Sequence, residues 1–154
     1  QIINAFQGVL YGATAPDLDA LKVLCSKDVL NACYGLGIAY KEDKLGIYAK
    51  DEAIALAINT LERALQKGNP ESALTLAELY GMKNQKDKAI AMAEKAYEFG
   101  FIDALYISAE IQLRNIFAGT KSCKPLLRYI SQAPADSKYY DDAIKLKTKK
   151  CKKF

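Results

Sequence analysis

The stretch "ERALQKGNPESALTLAELY", which runs from Glu62 to Tyr80, joins two helical patterns across a glycine and an Asn-Pro pair. Glycine after the last helical turn supplies a left-handed cap, and proline is tolerated in the first turn of the next helix. Around the stretch, apolar residues recur at the spacing of an amphipathic helix. In the segment that ends at Gly68 they are Ala57, Ile58, Leu61, Ala64 and Leu65. The stretch therefore predicts two consecutive helices joined by a tight turn.

The same arrangement recurs along the chain. The segment "KAIAMAEKAYEFG" has the same apolar spacing and ends in Gly100, 32 residues after Gly68. The earlier stretch "VLCSKDVLNACYGLGIAY", Val23–Tyr40, matches the second helix when Cys33 is aligned with Ala73, 40 residues farther on. A repeat period in this range predicts a solenoid of helix hairpins.

Small residues recur at equivalent positions of this repeat, where they allow helices to approach closely. Gly37, Ala77 and Ala109 share one position. The sequence predicts an all-α chain of about nine antiparallel helices within a single domain, residues 1–154. The predicted helices are 2–12, 17–26, 29–42, 51–67, 70–81, 86–99, 102–117, 121–132 and 137–150.

The composition is that of a folded domain with an uneven charge distribution. Hydrophobic residues make up 51% of the 154 residues, and the net charge is +4. Residues 1–120 carry 12 basic and 15 acidic side chains, whereas residues 121–154 carry 10 and 3. The lysine-rich end suits either a contact with anionic lipid or nucleic acid, or a solvated final helix whose cations complement its dipole. We favour the solvated helix, because no aromatic residues interleave the lysines, and we expect no nucleic-acid partner. No apolar run is long enough to span a membrane.

The sequence offers few groups for catalysis. It contains no histidine, which removes the commonest general base and metal ligand and excludes Cys/His and Ser/His nucleophile pairs. Phosphate-binding and dinucleotide-binding glycine motifs are missing. We therefore expect a protein that is not an enzyme and has no catalytic residue, cofactor or metal.

The repeat resembles the Sel-one-like repeats (SLR), a subclass of tetratricopeptide-like helical repeats. The matching residues around the central turn are Arg63, Ala64, Gly68, Asn69, Pro70, Glu71, Leu76 and Tyr80. "ACYGLGIAY" matches the start of such a unit through Ala32, Leu36, Gly37 and Tyr40. The resemblance implies a right-handed superhelix with clear repeats at about 20–113 and terminal capping helices at 1–19 and 121–154.

Two cysteines eight residues apart across a helix junction resemble the bacterial cysteine-rich SLR proteins. That resemblance implies a Cys25–Cys33 disulfide. Cys123 and Cys151 remain, and an antiparallel hairpin about the turn Ala133–Ser137 would bring them together. Paired cysteines favour an oxidising compartment, so we expect a periplasmic or secreted bacterial protein after removal of a signal peptide. The alternatives are four buried thiols in a cytosolic protein, a zinc site and a redox pair.

In helical solenoids the first helix of each unit lines the concave face. On the repeat template this face carries acidic residues together with two tyrosines: Asn31, Tyr34, Ile38, Glu42, Glu71, Leu74, Glu78, Asp103, Tyr106 and Glu110. Tyrosine beside charge is typical of protein-binding hot spots, so we predict a groove for another protein or peptide of basic or mixed charge. The alternative is that the acidic residues only solubilise exposed faces and support first helical turns.

These features predict a non-enzymatic protein-binding module of the bacterial cell envelope. Among the roles that the SLR resemblance implies is that of an immunity protein, which binds and neutralises an antibacterial secreted effector. This is the role that we favour. The alternative is a secreted virulence or host-interaction factor, or a periplasmic scaffold or regulator. The sequence does not specify an oligomeric state.

Overall fold

The computed structural model describes residues 15–29, 31–43, 45–115 and 118–152. Within these ranges the chain forms eight α-helices and one short 3₁₀ turn, Thr120–Cys123, without β-strands. The predicted all-α class of consecutive helix hairpins is thereby confirmed. The helices are α1 Ala15–Ser26, α2 Ala32–Glu42, α3 Lys50–Gln66, α4 Glu71–Met82, α5 Lys86–Glu98, α6 Asp103–Leu113, α7 Lys124–Gln132 and α8 Tyr140–Lys150. The predicted helix at 2–12 lies outside the described residues.

The predicted repeat is visible in where the helices begin. Helices α2, α4 and α6 begin at Ala32, Glu71 and Asp103, within one residue of the offsets of 40 and 32 found in the sequence. Ala77 of α4 and Ala109 of α6, which share one position of the repeat, are both fully buried. The small side chains therefore belong to the core, as their spacing predicts.

Helix α3 ends in the predicted glycine cap. Gly68 has a φ of +99°, and Asn69 after it donates its backbone N–H to the carbonyl of Ala64 at 3.0 Å. The same bond pattern follows Gly100, where φ is +100°. Each helix end thus satisfies carbonyl groups that have no partner within the helix.

Helix α2 begins at Ala32, three residues later than predicted. Asp28 and Asn31 both have left-handed backbone angles, with φ of +54° and +61°, so the chain cannot continue helically through them. Val29 donates its N–H to the carbonyl of Leu24 at 3.0 Å, which makes Asp28 the left-handed cap of α1. Asp and Asn tolerate this conformation better than other non-glycine residues.

Other boundaries also differ from the prediction: α1 begins at Ala15 instead of 17, and α7 begins at Lys124 instead of 121, after the 3₁₀ turn Thr120–Cys123. Helix α6 ends at Leu113 instead of 117, and α8 begins at Tyr140 instead of 137. Before α8 the N–H of Ser137 bonds to the carbonyl of Pro134 at 2.9 Å. This bond closes a turn that proline and small residues favour over helix.

The chain folds into two compact units, which divide between Ser72 and Ala73. In unit 1, helix α2 packs against α1 and α3. The Asn69 amide donates to the Asn31 side-chain oxygen at 3.1 Å, and Gly37 lies against Leu61. These two contacts show that α2 and α3 run antiparallel. Cys25, at the end of α1, is bonded to Cys33 in the first turn of α2.

In unit 2, α6 packs against α5 and α7, and α7 packs against α8. Cys123 and Cys151 are bonded, with Cα atoms 6.1 Å apart. The bond lies within a core cluster of buried residues from α6, α7, α8 and their ends: Leu105, Ala109, Leu113, Cys123, Leu126, Tyr129, Ala143 and Cys151. The final helix is therefore attached to this core by a covalent bond and by its own apolar face.

Candidate partner-binding surfaces

Three tyrosines of unit 2 form the centre of one candidate surface. The Tyr106 ring is stacked on the Tyr139 ring, with centroids 4.8 Å apart and an interplanar angle of 11°. The Tyr129 ring packs at a tilt against Tyr106 at 5.9 Å. Tyr129 is fully buried, whereas Tyr106 and Tyr139 are only partly covered. The rings of Tyr106 and Tyr139 are therefore partly exposed to solvent, and the Tyr106 ring packs on the buried ring of Tyr129.

Local structure fixes these rings in place. Tyr106 lies in α6, and the hydroxyl of Tyr129 donates to the Asp103 carboxylate in the first turn of that helix at 3.2 Å. Tyr139 comes immediately before α8, and its carbonyl accepts the N–H of Ala143 at 2.8 Å. The turn that starts α8 therefore determines where the Tyr139 ring lies.

Carboxylates and one lysine surround the tyrosine pair. Burial raises the pKa of Tyr106, and the carboxylates of Asp142 and Glu110 raise it further. Burial also raises the pKa of Tyr139, and the Glu78 carboxylate adds to this shift. The hydroxyls therefore stay protonated near neutral pH and remain able to donate hydrogen bonds.

A cation already occupies part of this surface. The Lys138 ammonium lies 5.0 Å from the centroid of the Tyr139 ring. A hydrogen bond with Tyr139 raises the pKa of Lys138, and the carboxylates of Glu78 and Asp103 add to the rise. We call Glu78, Asp103, Tyr106, Lys138 and Tyr139 the tyrosine surface. Its rings and carboxylates are suited to holding a cationic group.

The residues predicted for the concave face in unit 2 have three different surroundings. Glu78, Asp103 and Tyr106 belong to the tyrosine surface. Glu110 instead forms a bidentate ion pair with Arg114, both N–O distances being 2.6 Å. Leu74 lines an open cleft of about 240 Å³ that adjoins the tyrosine surface at Asp103 and also includes Pro134 and Ser137.

Unit 1 carries the other predicted residues. Asn31 and Tyr34 line a small cleft of about 110 Å³. Ile38 and Glu42 follow on the same face of α2, one and two turns farther on. Glu71 is exposed in the first turn of α4.

The same cleft also contains an ion-pair network. Asp28 and Lys67 are among the residues that line it. The Asp28 carboxylate accepts a hydrogen bond from the Arg63 guanidinium at 2.9 Å and lies 3.5 Å from the Lys67 ammonium. The cleft is therefore polar, and its acidic group is already paired with two cations.

Sequence reasoning missed Tyr129, Lys138 and Tyr139. The signal that could have found them is the hairpin argument that placed Cys123 near Cys151. An α8 folded back on α7 also brings the residues that precede it towards α6. The periodic template did not contain these residues, since they lie in the irregular last hairpin.

The described parts of the chain hold neither a metal-binding cluster nor a membrane-spanning helix. Among the residues that the structure describes, no group of three or more His, Cys, Asp and Glu side chains is placed to hold a metal ion. None of the described helices is long and apolar enough to cross a membrane.

Comparisons of the chain with protein-family models, with curated proteins and with solved structures found no match.

Proposed function

We propose that the chain is an SLR-type helical-repeat protein that acts as a non-enzymatic protein-binding module of the bacterial cell envelope. The repeated helices α2, α4 and α6 support the repeat assignment. The two disulfides indicate an extracytoplasmic protein, because such bonds persist in oxidising compartments. A periplasmic or secreted location in a bacterium is the specific form of this proposal.

The tyrosine surface is the observation that carries the binding proposal. It combines partly covered tyrosines, which are frequent in hot spots, with carboxylates that favour a cationic partner. Lys138 over the Tyr139 ring is an intramolecular example of the same cation–aromatic contact. A lysine or arginine side chain of a partner would find matching chemistry there.

Within this class, we propose an immunity protein that neutralises an antibacterial effector. An effector that attacks an anionic membrane or envelope polymer needs a cationic surface to reach it. An acidic, tyrosine-bearing face that covers this cationic surface would block the attack. A virulence or host-interaction factor and an envelope scaffold or regulator are the alternatives, which differ in the partner that they would bind.

The test is affinity capture from the envelope fraction of the native bacterium under non-reducing conditions, with Glu78→Lys as the binding variant. Glu94→Lys is the matched control, because Glu94 is an exposed acidic residue of α5 outside the tyrosine surface. We expect the control to bind the captured partner as the parent does. Glu78→Lys should bind at least about tenfold more weakly, since it places like charge against a basic partner.

The immunity role is tested by producing the captured partner in the periplasm of a susceptible strain. Co-production of the parent chain, but not of Glu78→Lys, should restore growth. Equal protection by both chains would contradict the role of the tyrosine surface. A partner that does not inhibit growth would contradict the immunity role, and a host receptor ectodomain as partner would support the host-interaction alternative.

A further inference from the structure

A dense group of cations surrounds the Cys123–Cys151 disulfide of unit 2. The bond joins residues 28 apart in sequence and holds their Cα atoms 6.1 Å apart. Among the residues that the structure describes, six lysines lie within four residues of one or the other cysteine, and all are exposed except the half-buried Lys147. We call them the lysine patch: Lys121, Lys124, Lys147, Lys149, Lys150 and Lys152.

The lysine patch has no acidic residues close to it in sequence. Residues 118–132 and 143–152 contain no Asp or Glu. The ion pairs found among the described residues do not involve the lysine patch; they include Arg63 with Asp28 and Arg114 with Glu110. The disulfide therefore keeps together two cationic segments that would otherwise repel each other.

The helix dipole accounts for only part of this pattern. Lys147, Lys149 and Lys150 lie in the last turn of α8, where cations are favourable. Lys124, by contrast, is the first residue of α7, and Lys121 lies in the 3₁₀ turn just before it; the partial positive charge of this helix end disfavours cations there. These two lysines therefore indicate a role for positive charge other than stabilising α7.

An exposed aliphatic side chain accompanies the cations. Ile144 of α8, one turn before Lys147 and Thr148, is 40% exposed. An open depression of about 240 Å³, lined by Lys147, Thr148, Cys151 and Lys152, lies within the patch. Lysines beside an exposed aliphatic residue are the composition of segments that bind at anionic membrane surfaces.

We infer that the lysine patch docks unit 2 on the surface of an anionic lipid bilayer. Residues 141–152 contain no aromatic side chain on which a base could stack, and stacking is a main contribution to single-stranded nucleic-acid binding. The two disulfides also indicate an extracytoplasmic protein, which would meet membrane surfaces more often than nucleic acid. The inference does not depend on the tyrosine surface.

The test is sedimentation of the full oxidised chain with vesicles of phosphatidylcholine and phosphatidylglycerol at 7:3, or of phosphatidylcholine alone. The binding variant is Lys149→Ala/Lys152→Ala. The matched control is Lys83→Ala/Lys95→Ala, which removes two exposed lysines of unit 2 outside the patch. Each lysine near an anionic surface favours binding by about a factor of five. The binding variant should therefore bind about thirtyfold more weakly, while the control binds as the parent does.

Two further measurements test the electrostatic and the apolar parts of the contact. Binding should fall steeply as salt is raised from 0.05 to 0.3 M, and Ile144→Ser should weaken it without changing the salt dependence. Failure to bind anionic vesicles, equal binding to neutral vesicles, or equal losses in binding variant and control would overturn the inference. So would tighter binding to a DNA duplex than to the vesicles, which would assign the patch to nucleic acid.

Discussion

The disulfide of unit 1 joins helices that already follow one another, whereas that of unit 2 joins distant parts of the chain. Cys25 and Cys33 are 8 residues apart, on either side of the α1–α2 turn. Cys123 and Cys151 are 28 residues apart and connect the start of α7 to the residue that follows α8. The first bond therefore reinforces a local turn, and the second fixes the position of a whole helix.

This difference matters because a disulfide stabilises a protein mainly by restricting the unfolded chain, and by more when the loop that it closes is longer. The loop lengths correspond to about 2.5 kcal/mol in unit 1 and about 3.5 kcal/mol in unit 2. Apart from this bond, α8 contacts the core of unit 2 through the buried Ala143 and the partly buried Leu146. The bond of unit 2 should thus matter more for both stability and local order.

The largest expected effect comes from Cys123→Ala/Cys151→Ala, which should lower the free energy of unfolding by about 3.5 kcal/mol. Cys25→Ala/Cys33→Ala, the matched variant, should lower it by about 2.5 kcal/mol. Alanine is used because a buried serine hydroxyl could lack a hydrogen-bond partner. Urea unfolding followed by circular dichroism measures both values. Amide hydrogen exchange should be fast in α8 of the first variant only. A larger decrease in the free energy of unfolding for Cys25→Ala/Cys33→Ala than for Cys123→Ala/Cys151→Ala would contradict the comparison.

Close packing gives a second contrast, between Gly37 of unit 1 and Gly81 of unit 2. A Cβ at Gly37 would lie 2.5 Å from both Cγ and Cδ2 of the buried Leu61, so the whole side chain, and not only its end, would have to move. A Cβ at Gly81 would lie 3.1 Å from the terminal methyl of Ile111. That methyl group is the end of a flexible side chain and can shift.

Gly37→Ala should therefore destabilise unit 1 by about 1–2 kcal/mol, because the strain of overpacking exceeds the gain in helix propensity. Gly81→Ala should leave the stability of unit 2 unchanged or raise it by up to about 1 kcal/mol. Thermal and urea unfolding of both variants provide the measurement. If Gly37→Ala were as stable as the parent, the contact between Gly37 of α2 and Leu61 of α3 would be less tightly packed than we describe.

The helices and the glycine caps of α3 and α5 could be predicted because they depend on local chemistry. A glycine that directly follows a helix, such as Gly68, commonly adopts the left-handed conformation. The apolar spacing of α3 can be read from its own sequence, without knowledge of the helices that pack on it. The tyrosine surface was only half predicted, since Tyr106 lies on a regular helix face whereas Tyr139 reaches it through the position of α8. Asp28 gave no sequence signal of its role as a helix cap, because glycine is the residue expected there.

The smallest expected effect concerns this Asp28, whose side chain lies at the surface of unit 1. The hydrogen bond from Arg63 lowers the pKa of the Asp28 carboxyl, with the nearby charge of Lys67 adding to it. A lowered folded-state pKa means that the carboxylate stabilises the fold above its unfolded pKa, near 3.9, and ceases to do so as the pH falls through the folded value. Because both side chains are 42% exposed, the effect is modest.

Asp28→Asn removes the carboxylate charge but keeps the backbone conformation, since asparagine also tolerates the left-handed region. The parent should be more stable than Asp28→Asn at pH 6, and this difference should shrink as the pH falls below about 4. Asp136→Asn, which changes an exposed aspartate in the turn before α8, is the matched control for the loss of one surface negative charge. A difference for Asp28→Asn that persisted unchanged at pH 2 could not arise from an ionised carboxylate. The stabilising role of Asp28 would then lie in its backbone as the cap of α1, and the ion pairs with Arg63 and Lys67 would contribute nothing measurable.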